Sequence, residues 1–332
     1  MNAAHWLPPV FLALMGLAML AYVVLDGYDL GVGLLLPRAG SEADKDLMVA
    51  SIGPFWDANE TWLVLGVGVL LIAFPKAHGL VLTALYLPVA VMLIGLTLRG
   101  VAFDFRSKAE AHHKGWWNAA FVAGSGLAAA AQGWMLGRYI TGFAEGGAAQ
   151  GFALLIGLAL PAAYVMLGAS WLLMKTEGPL QQRARLWARQ AWWPVLLGIG
   201  LISIATPIVS ATVRERWFAL PEFIALLPIP LCTLLALGAQ RAVLKSDRVL
   251  GRLCWLPFAL SVLLFVLASL GLAYSLYPYV VMDRLTLWQA ASHVDSLIVI
   301  GIGCAITVPA IVGYTVFAYR VFWGKATELH YG

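Results

Sequence analysis

Two pairs of acids, Asp26 with Asp29 and Asp57 with Glu60, lie in otherwise apolar stretches of this chain. Each pair is spaced i, i+3, so on a helix both members share one face. Asn59, which can donate and accept hydrogen bonds, precedes Glu60 directly. Carboxyls stacked one turn apart in an apolar setting suit three kinds of chemistry. They can relay protons, bind a cation as a transporter would, or pair with arginines in a purely structural role. Arg99 is the candidate charge partner, placed either to snorkel or to neutralise Asp26, Asp57 or Asp104. Trp56 and Trp62 flank the second acid pair, where they could wall a quinone or gas passage or simply pack a core.

The elements that must position these groups follow from composition. The chain has 332 residues, 61% apolar and 11% charged. Soluble domains run near ~45–50% apolar and ~25% charged, so lipid is the solvent over most of this surface. Nucleic-acid binders and cytosolic enzymes are thereby excluded. No cleavable signal peptide is expected, because MNAAHWLPPV carries no Lys or Arg and the apolar run after it is long enough to span. Nine apolar runs reach the length needed to cross, at 7–36, 47–74, 79–103, 116–138, 151–174, 190–210, 220–240, 254–276 and 293–322. Helices satisfy the backbone there, so the expected fold is an all-α integral membrane protein. At ~1.5 Å per residue, Asp26 and Asp57 each lie roughly 15 Å from the same end of neighbouring antiparallel spans. Their faces are predicted to meet at one depth. Each acid exposed at a span centre costs ~2.5–3.5 kcal/mol on insertion scales, so the acids must face protein or water, pair, or carry protons.

Charge sorts the connections. Sixteen of the 21 basic residues fall in the first, third, fifth and seventh connections and the C-terminus, leaving only Lys76, Arg138, Arg214, Arg216 and Arg284 on the other side. The positive-inside rule then has the N-terminus face outward and the C-terminus the cytoplasm. A short internal echo, Tyr22-Val-Val-Leu against Tyr164-Val-Met-Leu, fits halves at 1–145 and 146–290 plus a final helix at 293–322, within a single polytopic domain. Gly27 and Gly31 form a GxxxG beside Asp26 and Asp29, spacing that lets another helix approach closely.

Residues able to hold a redox centre at depth are missing from the pattern. His5, His78, His112, His113, His293 and His330 fall in termini, loops or outermost turns. A haem inside a bundle needs inward-facing His, Met or Cys ligands. Cys232, Cys254 and Cys304 are far apart with no CxxC, which argues against a cluster or disulfide framework. No haem or metal ligand is expected in this chain.

Three motifs in register resemble subunit II of the cytochrome bd quinol oxidases. They are Tyr22-Val-Val-Leu-Asp26-Gly-Tyr-Asp29-Leu-Gly-Val-Gly, Gly53-Pro-Phe-Trp56-Asp57-Ala-Asn59-Glu60-Thr-Trp62, and Arg99-Gly-Val-Ala-Phe-Asp104-Phe-Arg106-Ser-Lys108. The ending fits as well, with Tyr277-Pro-Tyr, Leu287-Trp288 and Tyr319-Arg-Val-Phe-Trp-Gly. The short chain and the run Asn59-Glu60-Thr-Trp62-Leu-Val-Leu look closest to the cyanide-insensitive branch. The resemblance implies a membrane complex that oxidises quinol and reduces dioxygen to water with protons drawn from the cytoplasm. It implies nine helices as two four-helix bundles with a peripheral ninth. It places three haems, two b-type and one d-type or b-type, in a partner, subunit I. A small single-helix subunit often completes such assemblies, and some members hold a structural quinone in this subunit.

Carried over by position, Asp57 matches an acid of a cytoplasmic proton channel, and Asp104 another acid on that route. Glu60 and Asn59 would shape it. Trp62 matches a tryptophan beside an oxygen passage of some members, while Asp26 and Asp29 match first-helix acids without assigned roles. Ala58 departs from the glycine many relatives carry, which implies a small packing change. A secondary cation or proton transporter using the same acids as its ion site is the alternative from another class.

Overall fold

The structure is a computed structural model that describes residues 3–110 and 112–326, so His330 lies outside the described residues. Thirteen α-helices carry the fold. They are α1 (Ala3–Leu35), α2 (Glu42–Ile52), α3 (Trp56–Ala73), α4 (Pro75–Lys108), α5 (Lys114–Ile140), α6 (Gly147–Lys175) and α7 (Gly178–Val209). There follow α8 (Ala211–Phe218), α9 (Glu222–Leu226), α10 (Pro228–Lys245), α11 (Leu256–Leu276), α12 (Leu287–Ala290) and α13 (Val294–Val321). A two-stranded antiparallel ribbon, β1 (Tyr279–Val281) with β2 (Leu285–Thr286), lies in the loop before α12. Among the described residues, nine helical segments are long and apolar enough to cross a membrane.

Eight of the nine expected spans coincide with single crossing segments. The second does not. Gly53, Pro54 and Phe55 break the run expected at 47–74 into α2 and α3, and only Trp56–Ala73 qualifies as a span. Pro54 lacks the N–H that a continuous helix needs, so α2 ends at Ile52 with Gly53 as its C-cap. The consequence is local but important: Asp57 falls in the first turn of α3, not deep within a long helix. The seventh run is resolved by its prolines, since α10 begins at Pro228, a first-turn position where a missing N–H costs nothing.

The core runs along α1, which packs on α3, α5 and α6, while α4 lies against α5 and α6 against α7. Gly31 makes the α1–α6 crossing tight. A Cβ there would overlap the backbone carbonyl of Tyr164, so only glycine admits this approach. The two echoed tyrosines meet at one residue of α5. Gln132 donates to Tyr22 Oη at 2.8 Å, and Tyr164 donates to Gln132 Oε1 at 2.5 Å. By contrast, α13 rests on α1 and α3 with only Leu297 and Ala318 buried.

Candidate functional site

The candidate site forms where α1, α3, α4 and α13 converge. Gly124 of α5 positions its cation, because a Cβ there would come within 2.7 Å of the Arg99 backbone nitrogen. From that backbone position the Arg99 side chain reaches acids on α1 and α3. Arg99 is 1% exposed, and its Nη1 donates to Asp26 Oδ1 at 2.6 Å while Nη2 donates to Glu60 Oε1. Its guanidinium also lies over Trp56, 5.9 Å from the ring centroid. Of the three partners open to Arg99 in the sequence, the fold selects Asp26 and adds Glu60.

A second knot joins the first. Asn59 Nδ2 donates to Asp29 Oδ2 at 2.8 Å, with Tyr28 Oη and the Leu25 carbonyl also within reach at 3.0 and 3.2 Å. Tyr319 of α13 donates to Asn59 Oδ1 at 3.2 Å, and Tyr28 and Tyr319 share a hydrogen bond of 2.6 Å. Asp26, Asp29 and Asn59 are all fully buried. Asp26 Oδ2, Asp29 Oδ1 and Arg99 Nε have no hydrogen-bond partner among the described residues. Three carboxylates thus gather around one guanidinium, an excess of acid that demands protons or further donors.

The expectation that the Asp26 and Asp57 faces meet is corrected here. Asn59 and Glu60, not Asp57, turn toward α1 and Arg99. Two residues span ~200° of helix, so an inward Asn59 carries Asp57 to the opposite side. Asp57 is exposed on this chain and its carboxylate has no partner among the described residues. Asp104, four residues before the end of α4, is exposed as well. Because α3 starts where α4 ends, both acids sit at the same end of the α3–α4 pair. Glu60 connects the two environments, paired with Arg99 yet with 29% of its side chain exposed.

Trp62 is buried against Ala18 and Tyr22, with Nε1 unpartnered, whereas Trp56 is half-buried against Phe103. Sequence reasoning missed Tyr28 and Tyr319 as site residues, although both lie within the quoted motifs. It also missed Lys175, which donates to the carbonyls of Phe322 and Gly324 at 2.8 and 3.0 Å and ties the end of α13 to α6. His5, His112, His113 and His293 are exposed and His78 is half-exposed. His5 stacks on Trp288, and His293 lies beside Asp295. These donors do not fit a haem held within the bundle, which requires ligands aimed into its interior.

Fold and site define the class as a polytopic helical membrane protein built around a buried, ion-paired acid cluster. The family described as cytochrome bd terminal oxidase subunit II matches residues 7–322, and the chain belongs to it. The chain is 26% identical to cytochrome bd ubiquinol oxidase subunit 2 of Bacillus subtilis, over 93% of this chain and 94% of that one. It is 26% identical to cytochrome bd-I ubiquinol oxidase subunit 2 of Escherichia coli, over 95% and 94%. In fold it is similar to a chain in the structure of bd oxidase from Geobacillus thermodenitrificans, with a TM-score of 0.80, 15% identity, and 96% and 98% of the two chains covered. It is a subunit II of a bd-type terminal oxidase, an oxidoreductase complex that contains haem, and a multi-pass protein of the bacterial inner membrane.

Proposed function

We propose that this chain is the non-haem partner of a haem-bearing subunit I and supplies cytoplasmic protons for the reduction of dioxygen to water. The observation that carries this reading is the placement of the acids. Asp57 and Asp104 are exposed, without side-chain partners among the described residues, at one end of α3 and α4, and Glu60 leads from that end to the buried Arg99–Asp26 pair. Exposed acids on membrane helices are costly against lipid, so a second polypeptide or water must cover them. Within the chain, Arg99 holds Asp26 and Glu60 in place, and Asn59 orients Asp29.

The haems, two b-type and one d-type or b-type, belong in this reading to subunit I, consistent with the peripheral histidines here. Bound there, they supply electron transfer from quinol and reduction of oxygen. The chain adopts two four-helix bundles plus a peripheral α13, with the N-terminus in the periplasm and the C-terminus in the cytoplasm. A single-helix subunit, a structural quinone and an oxygen passage near Trp62 and Trp56 remain part of the family expectation, as does the cyanide-insensitive branch. The family relationship lends no support to a secondary transporter.

The test is Asp57→Asn in the assembled oxidase. It should leave haem spectra intact and slow quinol-dependent oxygen uptake. Unchanged turnover would remove Asp57 from the proton route.

A further inference from the structure

The offset that relates Tyr22 to Tyr164 also relates Arg99 on α4 to Arg241 on α10. The two arginines share an aromatic neighbour of the same kind. Arg99 lies over Trp56, and Arg241 lies over Trp192 and Trp193 at 4.9 and 4.8 Å from their centroids. Their anions differ completely. At the position equivalent to Asp26, α6 has Gly168, and Arg241 makes no hydrogen bond or ion pair with any described residue. An arginine clasped by two indoles has its stem fixed and its planar set of N–H donors unspent.

A second unpaired cation lies beside it. Arg185 of α7 donates to the Leu244 carbonyl at 2.9 Å, and Trp192 donates to the Leu237 carbonyl at 3.0 Å. These two rungs set the antiparallel register of α7 and α10, and the same register puts Arg189 level with Arg241. Among the described residues Arg189 has no hydrogen-bond or ion-pair partner, and neither has the ammonium group of Lys245, one turn beyond Arg241. Trp193 is 56% exposed, and the helix face below it continues as the exposed Leu197 and Leu201 at one-turn intervals. The patch therefore combines fixed cations, an interfacial indole and an apolar strip along the span. A soluble anion matches only the first of these; a phospholipid matches all three.

We propose that Arg241, Arg189 and the exposed ring of Trp193 form a binding site for the headgroup phosphate of an anionic phospholipid, whose acyl chains lie along α7. The site is separate from the acid cluster at Arg99 and does not depend on the proton reading. It reuses in the second half of the chain an arginine whose internal carboxylates are gone.

Native mass spectrometry of the detergent-extracted assembly tests it, with phosphatidylglycerol, phosphatidylcholine and inorganic phosphate as probes. Phosphatidylglycerol should remain bound and raise the melting temperature, and the other two should not. Each arginine-to-glutamine change should weaken phosphatidylglycerol binding about fivefold. Arg189→Gln alone provides the result if the double variant with Arg241→Gln does not fold, because Arg189 has no hydrogen bond or ion pair among the described residues to lose. Equal binding of phosphatidylcholine, equal stabilisation by phosphate, or undiminished phosphatidylglycerol binding in the variants would overturn the proposal. So would a photo-crosslinker at position 193 that captures a polypeptide in membranes in place of lipid.

Discussion

The hydroxyls of Tyr28 and Tyr319 lie 2.6 Å apart, joining the first and last membrane helices across 291 residues of sequence. The bond closes a ring. Asn59 donates to Tyr28, Tyr319 donates to Asn59, and an amide fixes the direction because its nitrogen only donates and its oxygen only accepts. With so little of α13 buried, this ring, the stacking of Tyr319 on Phe55 and the contacts of Lys175 and Lys325 hold its final turns to the body.

Removing the Tyr319 hydroxyl as Phe should therefore loosen α13 without emptying the core. The phenyl ring still stacks on Phe55, where the centroids are 4.5 Å apart. The hydroxyl's loss leaves Asn59 Oδ1 and the Tyr28 hydroxyl short of a partner, a cost of about 1–3 kcal/mol. Hydrogen exchange should rise in the last turns of α13 and stay unchanged at the α1–α6 crossing. Uniform exchange across both would show that the ring does not anchor the helix.

Arg99 cannot be replaced conservatively. It serves Asp26 and Glu60 with two different nitrogens, and a lysine offers a single ammonium group. Arg99→Gln strands buried carboxylates, a loss of about 3–5 kcal/mol, and should sharply reduce the amount of assembled protein. Arg99→Lys should recover part of that yield. Combining Arg99→Gln with Asp26→Asn should recover more than Lys does, because it removes the fully buried member of the stranded pair and leaves only the partly exposed Glu60. Equal yields for all three variants would contradict the ion-pair assignment.

Exposure separates Asp104 from the buried acids. Asp104→Asn removes no side-chain hydrogen bond or ion pair among the described residues, so its thermal stability should match the parent within roughly 0.5 kcal/mol. Any slowing of oxygen uptake then reports on proton supply and not on folding. Asp29→Asn, at a fully buried position hydrogen-bonded to Asn59, should change stability measurably. A melting point for Asp104→Asn shifted as far as that for Asp29→Asn would contradict this division.

Gly31→Ala adds a methyl group where the Tyr164 carbonyl lies. Backbone cannot yield as a flexible side chain does, so α1 and α6 must separate. Assembly should fall well below that of Gly16→Ala, where a Cβ meets nothing within 4 Å. Parallel expression and size-exclusion profiles of the two variants provide the comparison.

Outside the membrane, the start of α2 should respond to acid. Lys45 donates to Glu42, and Asn118 and Arg106 add to the effect, so the Glu42 carboxyl titrates below the ordinary glutamate range. A lowered value in the folded state stabilises at pH above the unfolded value, near about 4.3, and the benefit is lost as pH falls through the folded value. Exchange at residues 42–46 should rise over that acid interval, and Glu42→Gln should flatten the response. An unaltered profile in the variant would exclude Glu42 as the titrating group.

Much of this molecule is written locally. Apolar runs of spanning length, and acids where acids are expensive, need no tertiary information to be recognised, because bilayer thickness and the cost of burying charge act on any segment alone. Eight of the nine spans, and the concentration of Asp26, Asp29, Asn59, Glu60 and Arg99 in apolar sequence, were legible for that reason. Helical spacing also placed Asp57 and Glu60 within reach of one face, but it could not say which residue of α3 would turn inward. That choice depended on the break at Pro54 and on which side of α3 met α1. Nor could spacing find Tyr319, since a hydrogen bond between the first and last helices leaves no periodic trace in either. The pairing of Arg99 and the unpaired state of Arg241 are likewise decisions of packing: the same side chain is neutralised in one half of the fold and left open in the other, according to which helix face lies against it.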